Sequence, residues 1–325
     1  MEFSKIKPFL KNRLTSVFYH IVSERPSILV KNLYRPRSYE KFKEDIEFFL
    51  KNFNPVSLVD IENNIENGCP LPEYPLYLSF DDGHCENYQN VVDFLLKRSF
   101  PATFFVASST INNKKILLPH LKSIIIEKMK TIKISQLKKL ARELNMPIRE
   151  NSKGDLLKEI KSVRNYSTDD TLKKIANIIE IDEDEILKKN APYFSEYDLL
   201  CLKNRGFTIG SHSHNHFKFS TISDECQAEE IGLSISTVRK ISGEKKVAFS
   251  FPNSGAFLND EKLEKWAIEY SISCFFDTSK YRPNTKIRIN RISFDKSMGS
   301  NAEPEKPADN IIRDTYIEYE TRSDK

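Results

Sequence analysis

Six short segments of this chain are apolar almost from end to end: LTSVFYHIV near 14–22, LYLSF at 76–80, ATFFVA at 102–107, GFTIGS at 206–211, VAFSF at 247–251 and SISCFF at 271–276. A strand with one wet face alternates apolar and polar residues. Segments this uniform, rich in β-branched and aromatic side chains, read as strands buried on both faces of a parallel sheet. Helical patterns fill the intervals. SYEKFKEDIEFFLKNF at 38–53 puts Phe42, Ile46, Phe49 and Leu50 on one face behind a Ser38 N-cap. ENYQNVVDFLLKRSF at 86–100, SEYDLLCLKNRG at 195–206 and ECQAEEIGLSISTVRKISG at 225–243 read alike, the last two running into a glycine stop. Strand alternating with helix predicts an α/β fold, a barrel or partial barrel of parallel strands.

Residues 114–190 interrupt the alternation. They offer amphipathic helices (ISQLKKLARELNM, GDLLKEIKSV, TLKKIANIIEIDEDEILKKN, the last opened by a Ser167–Asp170 capping box) and no strand. The expected organisation is therefore a discontinuous barrel from 1–113 and 191–300, a helical insertion at 114–190 and a polar C-terminal tail at 301–325. Within the insertion, residues 114–166 carry 14 Lys and Arg against 5 Asp and Glu. Three readings stand for that basic stretch: a solvated surface, peripheral contact with an anionic lipid or nucleotide-sugar carrier, or a small helix-extended-helix nucleic-acid module, the least favoured of the three.

The formal charge of +4 across 325 residues gives no basis for nucleic acid as a partner. No run of apolar residues reaches the length of a membrane span. Lys11, Asn12, Arg13 and His20 break the N-terminal apolar stretch, so no signal peptide is expected. The five cysteines form no CxxC pair and are expected as free thiols, which makes the cytoplasm the predicted location, with contact at the inner membrane face if the basic stretch docks there.

Three motifs end apolar strands, the edge where parallel α/β folds place their chemistry. LYLSFDDGH delivers the adjacent carboxylates Asp81 and Asp82, suited to one metal ligand beside one general base, or to a plain Asp-Asp-Gly turn. IGSHSHNHF gathers His212, His214 and His216, half of the chain's six histidines; imidazoles beside a carboxylate form a donor set for a divalent metal. VAFSFPNSGAF ends in Pro252, Asn253, Ser254 and Gly255, a turn able to offer backbone N–H groups to a ligand.

Taken in order, these motifs resemble those of the NodB-homology polysaccharide deacetylases, carbohydrate esterase family 4. SFDDG stands at that family's Thr-Phe-Asp-Asp-Gly motif, His212 to His216 fits its His-Ser/Thr-x-x-His motif, and SFPNSG takes the place of its Arg-x-Pro-Tyr-Gly loop. FPATFFVA and the EI-x-x-S helix at 230–234 extend the likeness over most of the chain outside 114–190 and the tail. The resemblance implies a barrel of about seven parallel strands, a divalent metal (Zn²⁺ by default) on Asp82, His212 and His216, and Asp81 as the general base. Pro252 to Gly255 would help to hold substrate and oxyanion.

Two departures follow. Ser250 replaces the motif arginine that orients the catalytic Asp, and no histidine follows His216, so the C-terminal source of the general acid is missing. His20, His84, His120 and His214 remain as candidates. A Tyr-His pair before a helix and the Asp-Asp-Gly strand resembles the poly-N-acetylglucosamine deacetylase branch, which makes His20 the expected acid, with a core histidine as the plain alternative. Arg291 in RINRISF is the expected replacement for the arginine, although a surface ion pair accounts for it equally. The expected activity is hydrolysis of an N-acyl group, acetyl first, from an amino sugar of a carbohydrate substrate, lipid- or nucleotide-linked if the enzyme is cytoplasmic. A de-N-formylase and a non-catalytic, metal-containing carbohydrate-binding or scaffold module are the alternatives.

Overall fold

The computed structural model describes residues 2–143, 152–162, 171–278, 284–297 and 305–323. The six apolar segments form β1 (Thr15–Tyr19), β2 (Pro75–Phe80), β3 (Thr103–Val106), β4 (Thr208–Ser211), β5 (Val247–Ser250) and β6 (Ile272–Asp277). They pair in that order, all parallel. Two further strands complete the ring. β7 (Arg288–Asn290) pairs parallel with β6, and β8 (Ile292–Ser293) pairs parallel with β1. The run 288–293 thus closes the sheet into a barrel, and Arg291 occupies the break between its two halves. The register aligns Tyr19 with Phe80, Phe80 with Phe104 and Val106 with Ser211, which brings the C-terminal strand ends to one rim.

Alternation along the strands separates two cores. Tyr77, Phe105, Ala248, Cys274, Phe276 and Ile289 pack together in one cluster. Their neighbours Leu76, Leu78, Phe80, Phe104, Val106, Val247 and Phe275 join the helix-facing cluster with Phe42, Ile46 and Phe49. Both faces are apolar because both are buried, hence the uniform sequence pattern. Gly210 shows how tight the interior is: a Cβ there would meet the Phe105 ring at 2.4 Å.

The described part of 114–190 is helical: Leu118–Lys128, Ile134–Glu143, Ser152–Ser162, Thr171–Ile178 and Glu183–Asn190. These helices build their own core from residues such as Leu121, Ile125, Leu140, Leu156, Leu172 and Ile175, and that core continues onto the barrel through Ile21, Val30 and Ala107. Three expected elements differ in detail. The stretch 171–190 is two helices, broken where Glu180 takes φ +57° and Asp182 caps the second. The stretch 86–100 is likewise split, at Val91. On the helix Tyr39–Asn52 the Ser38 cap forms, but Leu50 is 37% exposed and lies off the buried face. The polar C-terminal stretch, in which the sequence also offered a short element at IIRDTYIEYE, carries the helix Ala308–Ser323, which buries Ala308 and Ile312 against the barrel's helices. The Ser167–Asp170 capping box lies outside the described residues.

Candidate active site

β2 ends at Phe80, and the next residues turn sharply. Asp82 adopts φ +68° and Gly83 φ +73°. Aspartate tolerates the left-handed region better than most residues. At Gly83 a Cβ would also press on Val106 Cγ1 at 3.1 Å, so a glycine follows the two carboxylates for a steric reason. Asp81 and Asp82 are buried, at 2% and 3% exposure. Such burial is tolerable only with compensating charge.

Arg291 compensates Asp81. Its Nη1 donates to Asp81 Oδ1 at 2.8 Å and its Nη2 to Oδ2 at 2.7 Å, a bidentate fork. The same guanidinium donates to the Ser79 hydroxyl at 2.9 Å and the Ser250 hydroxyl at 2.5 Å. It lies against the rings of Phe18, Phe105 and Phe276, with centroids 4.4, 5.3 and 5.7 Å away. Arg291 is therefore a buried partner of Asp81, not half of a surface ion pair. Ser250, where the motif arginine was missing, supplies an oxygen to the arginine that arrives instead from the break between β7 and β8. Burial would raise the Asp81 carboxyl, but Arg291, His212 and His20 hold it below the ordinary value.

The segment after β4 carries the histidines. His212 Nε2 lies 3.4 Å and His216 Nε2 3.2 Å from Asp82 Oδ1. His212 Nδ1 donates to the Ser250 carbonyl at 2.9 Å, which leaves Nε2 bare and aimed at Asp82. Two left-handed residues, Ser213 (φ +62°) and His216 (φ +58°), fold the loop back. Glu230 clamps it, accepting from the backbone N–H groups of His214 (3.0 Å) and Asn215 (2.6 Å) and from Asn215 Nδ2 (2.7 Å). His214 points elsewhere, to the Ser108 hydroxyl at 2.7 Å.

Three observations fit this triad to a divalent cation. Asp82 Oδ1 and His216 Nδ1 are buried without a hydrogen-bond partner. The triad's atoms are also too far apart for good charge-assisted hydrogen bonds, yet close to the spacing of about 3.3 Å expected of ligands arranged tetrahedrally at about 2.0–2.1 Å from one ion. Finally, two imidazoles and one carboxylate leave coordination positions open. Although burial would raise the Asp82 carboxyl, His216, His120 and His212 hold it well below its usual range.

His20, just past β1, faces the same rim. Its Nδ1 lies 2.6 Å from Asp295 Oδ2, its backbone N–H donates to the same oxygen at 2.9 Å, and Tyr34 stacks on its ring at 4.8 Å. Burial alone would lower its pKa. Asp295, with Asp82 and Asp81 beyond, raises it from 6.5 to about 9. Asp295 follows β8, and nothing in its sequence context marked it.

The Pro252–Gly255 turn departs from expectation. The Gly255 N–H (3.1 Å) and the Ser254 hydroxyl (2.8 Å) both donate to the carboxylate of Asp277, itself beside buried Arg288. Those two donors are committed to holding the turn; Asn253, exposed at φ +62°, remains a candidate donor toward a ligand. Two histidines given no role in the sequence also arrive at Asp82. His84 Nε2 lies 3.7 Å and His120 Nε2 3.5 Å from its other oxygen, Oδ2.

The family model for polysaccharide deacetylase matches residues 70–145 and 187–269, the two stretches that carry both metal-site motifs. This chain belongs to the polysaccharide deacetylase family. Its members are hydrolases of the amide bonds of acetylated sugars. Among solved structures, the deacetylase PplD of Streptococcus pyogenes, solved with acetate, superposes with a TM-score of 0.58 at 13% identity, covering 94% of this chain and 98% of that one. IcaB of Ammonifex degensii gives 0.53 at 14%, covering 86% and 91%. A de-N-acetylase of Aggregatibacter actinomycetemcomitans gives 0.51 at 14%, covering 86% and 94%. At such identities these three speak for the fold. No curated protein matches the sequence. No helix among the described residues is long and apolar enough to cross a membrane.

Proposed function

We propose that this polysaccharide deacetylase is a metal-dependent N-deacetylase that hydrolyses the acetamide of an amino sugar in a surface glycan or its precursor. The observation that carries the reading is the convergence of Asp81, Asp82, His212 and His216 at one rim of the barrel, with Arg291 on Asp81 and Asp295 on His20. Asp82, His212 and His216 would hold the ion, Zn²⁺ being the first candidate. A divalent ion there supplies Lewis acidity toward the amide carbonyl and lowers the pKa of water in its coordination sphere.

Asp81 accepts the proton of the attacking water as general base. Arg291 keeps that carboxylate ionised and oriented, and its position among three aromatic rings keeps the fork from swinging away. His20, kept charged by Asp295, gives a proton to the departing sugar amine. The backbone N–H of Asn253 is the turn's contribution to the developing oxyanion. The same groups would serve a formamide, so the acyl group is a matter of pocket size.

Acetate release from N-acetylglucosamine oligomers by the metal-loaded protein, abolished in Asp81→Asn, tests the reading. Formate release from the N-formyl analogue in its place would transfer the activity to the second acyl group. Release of neither acid from any amino-sugar amide would sink it. The linkage of the substrate to a lipid or nucleotide rests on the expected cytoplasmic location and on the basic stretch. Part of that charge is used internally: Glu127 pairs with Lys31 and Lys130, and Lys122 Nζ donates to the Lys161 carbonyl. Loss of binding to anionic vesicles on charge reversal at Lys130, Lys133, Lys138 and Lys139 tests that part.

A further inference from the structure

We propose that His84 and His120 hold a second divalent cation, with Asp82 as the carboxylate shared between the two ions. The proposal rests on the reading of Asp82, His212 and His216 as a metal site for the shared role of Asp82.

The two oxygens of Asp82 face opposite ways. Oδ1 meets His212 and His216, and Oδ2 meets His120 and His84 at 3.5 and 3.7 Å. Both distances on the Oδ2 side exceed those of a charge-assisted hydrogen bond and suit groups that share a cation. All three side chains are buried: Asp82 3% exposed, His84 2% and His120 1%. His84 Nε2 has no hydrogen-bond partner. A buried imidazole nitrogen left so is destabilising unless something else engages it.

His120 is oriented for the same task. Its Nδ1 lies 2.6 Å from the Tyr193 hydroxyl, and with Nδ1–H donating, Nε2 is bare toward Asp82. The Leu117 N–H donates to that hydroxyl at 3.2 Å and fixes it in turn. The Tyr193 ring stacks on both imidazoles, with centroids 6.0 and 5.7 Å away. Were the hydroxyl to donate instead, His120 would become a positioning residue for Asp82, but that arrangement gives His84 Nε2 nothing to do.

The origin of these residues gives the helical insertion a purpose. His84 follows the Asp-Asp-Gly turn directly, and its segment is bridged to Tyr193. His120 lies in the first turn of the helix Leu118–Lys128, inside the insertion, and Tyr193 lies just past its last helix. The insertion thus completes a metal centre at its base. Two imidazoles and a shared carboxylate suit borderline ions such as Zn²⁺, Co²⁺ or Ni²⁺, and hydrolytic two-metal centres space their ions by about 3.5–4 Å.

The test is metal content of the full chain, stripped with chelator and reloaded with Zn²⁺ or Co²⁺, with folding checked by circular dichroism. Two ions per chain are expected in the wild type, and one in His84→Ala and in His120→Gln. Tyr193→Phe should keep both at saturation but weaken the second about 10–100-fold. One ion per wild-type chain overturns the proposal. If that ion is lost in His212→Ala and kept in His84→Ala, the deacetylase reading stands without it. The reverse pattern moves the metal away from His212 and His216, and the deacetylase mechanism falls too.

Discussion

His20 Nδ1 lies 2.6 Å from Asp295 Oδ2, and the pairing keeps the imidazole charged up to about pH 9. Because the folded pKa stands above the ordinary 6.5, the pair's contribution to stability is complete below pH 6.5 and lost as pH rises through about 9. Catalysis that needs the charged form should follow the same limit. In Asp295→Asn the desolvation of His20 is no longer offset, so the alkaline limb of kcat/KM should move down by at least about one pH unit. A limb that stays in place would remove His20 from proton delivery.

Arg291 offers a second lever on the same profile. Arg291→Lys keeps a positive charge but loses the fork that spans both Asp81 oxygens. The Asp81 carboxyl, held low mainly against its own burial, should then rise, and the acid limb should shift upward while the fold persists. Arg291→Met leaves a buried carboxylate unpaired and should cost about 3–5 kcal/mol, seen as a lowered denaturant midpoint. Equal stability of the two variants would contradict this account of the site.

The residues that could be read from the chain are those whose neighbours in sequence are also their neighbours in space. Uniformly apolar strands announce burial on both faces; Asp81 and Asp82 follow one of them directly, and the segment from His212 to His216 follows another. His20 and Arg291 could be singled out because the Tyr-His pair and the C-terminal arginine resemble those of one branch of the family, once the usual histidine and arginine were seen to be missing. Asp295 and Tyr193 carried no such mark, and the motif context of Glu230 and the short list of imidazoles that included His120 did not say what either would touch, since each reaches the site from a separate element. The Pro252–Gly255 turn misled for the same reason. Its donors looked available because the carboxylate that takes them, Asp277, belongs to another strand.

Metal removal provides a third check, independent of any substrate. On the proposed metal-dependent reading a cation compensates the unpartnered Asp82 Oδ1 and the converging Nε2 atoms of His212 and His216, so loading should raise Tm and chelation should lower it. Asp82→Ala should abolish the metal-dependent shift and His212→Ala should reduce it, as read by thermal melts with and without Zn²⁺. Identical melts for loaded and stripped wild type would speak against a metal site at this rim.

Glu230 allows the argument to be tested away from the ligands themselves. It touches neither Asp82 nor the imidazole rings, yet it accepts three N–H bonds that hold the loop from His212 to His216 in its left-handed turns. In Glu230→Gln the amide can accept at one oxygen only, and its NH₂ faces donors, so at least one half-buried N–H goes unmet. The loop should loosen and His216 should lose its aim. Metal affinity should fall about 10–100-fold, the range for groups that orient ligands, with a stability loss of about 1–3 kcal/mol. Titration of stripped protein with Zn²⁺ against a competing chelator reads the first, and a urea melt of the stripped protein reads the second. A stability loss with unchanged metal affinity would make Glu230 a plain structural anchor and cut the link between the 224–242 helix and the metal site.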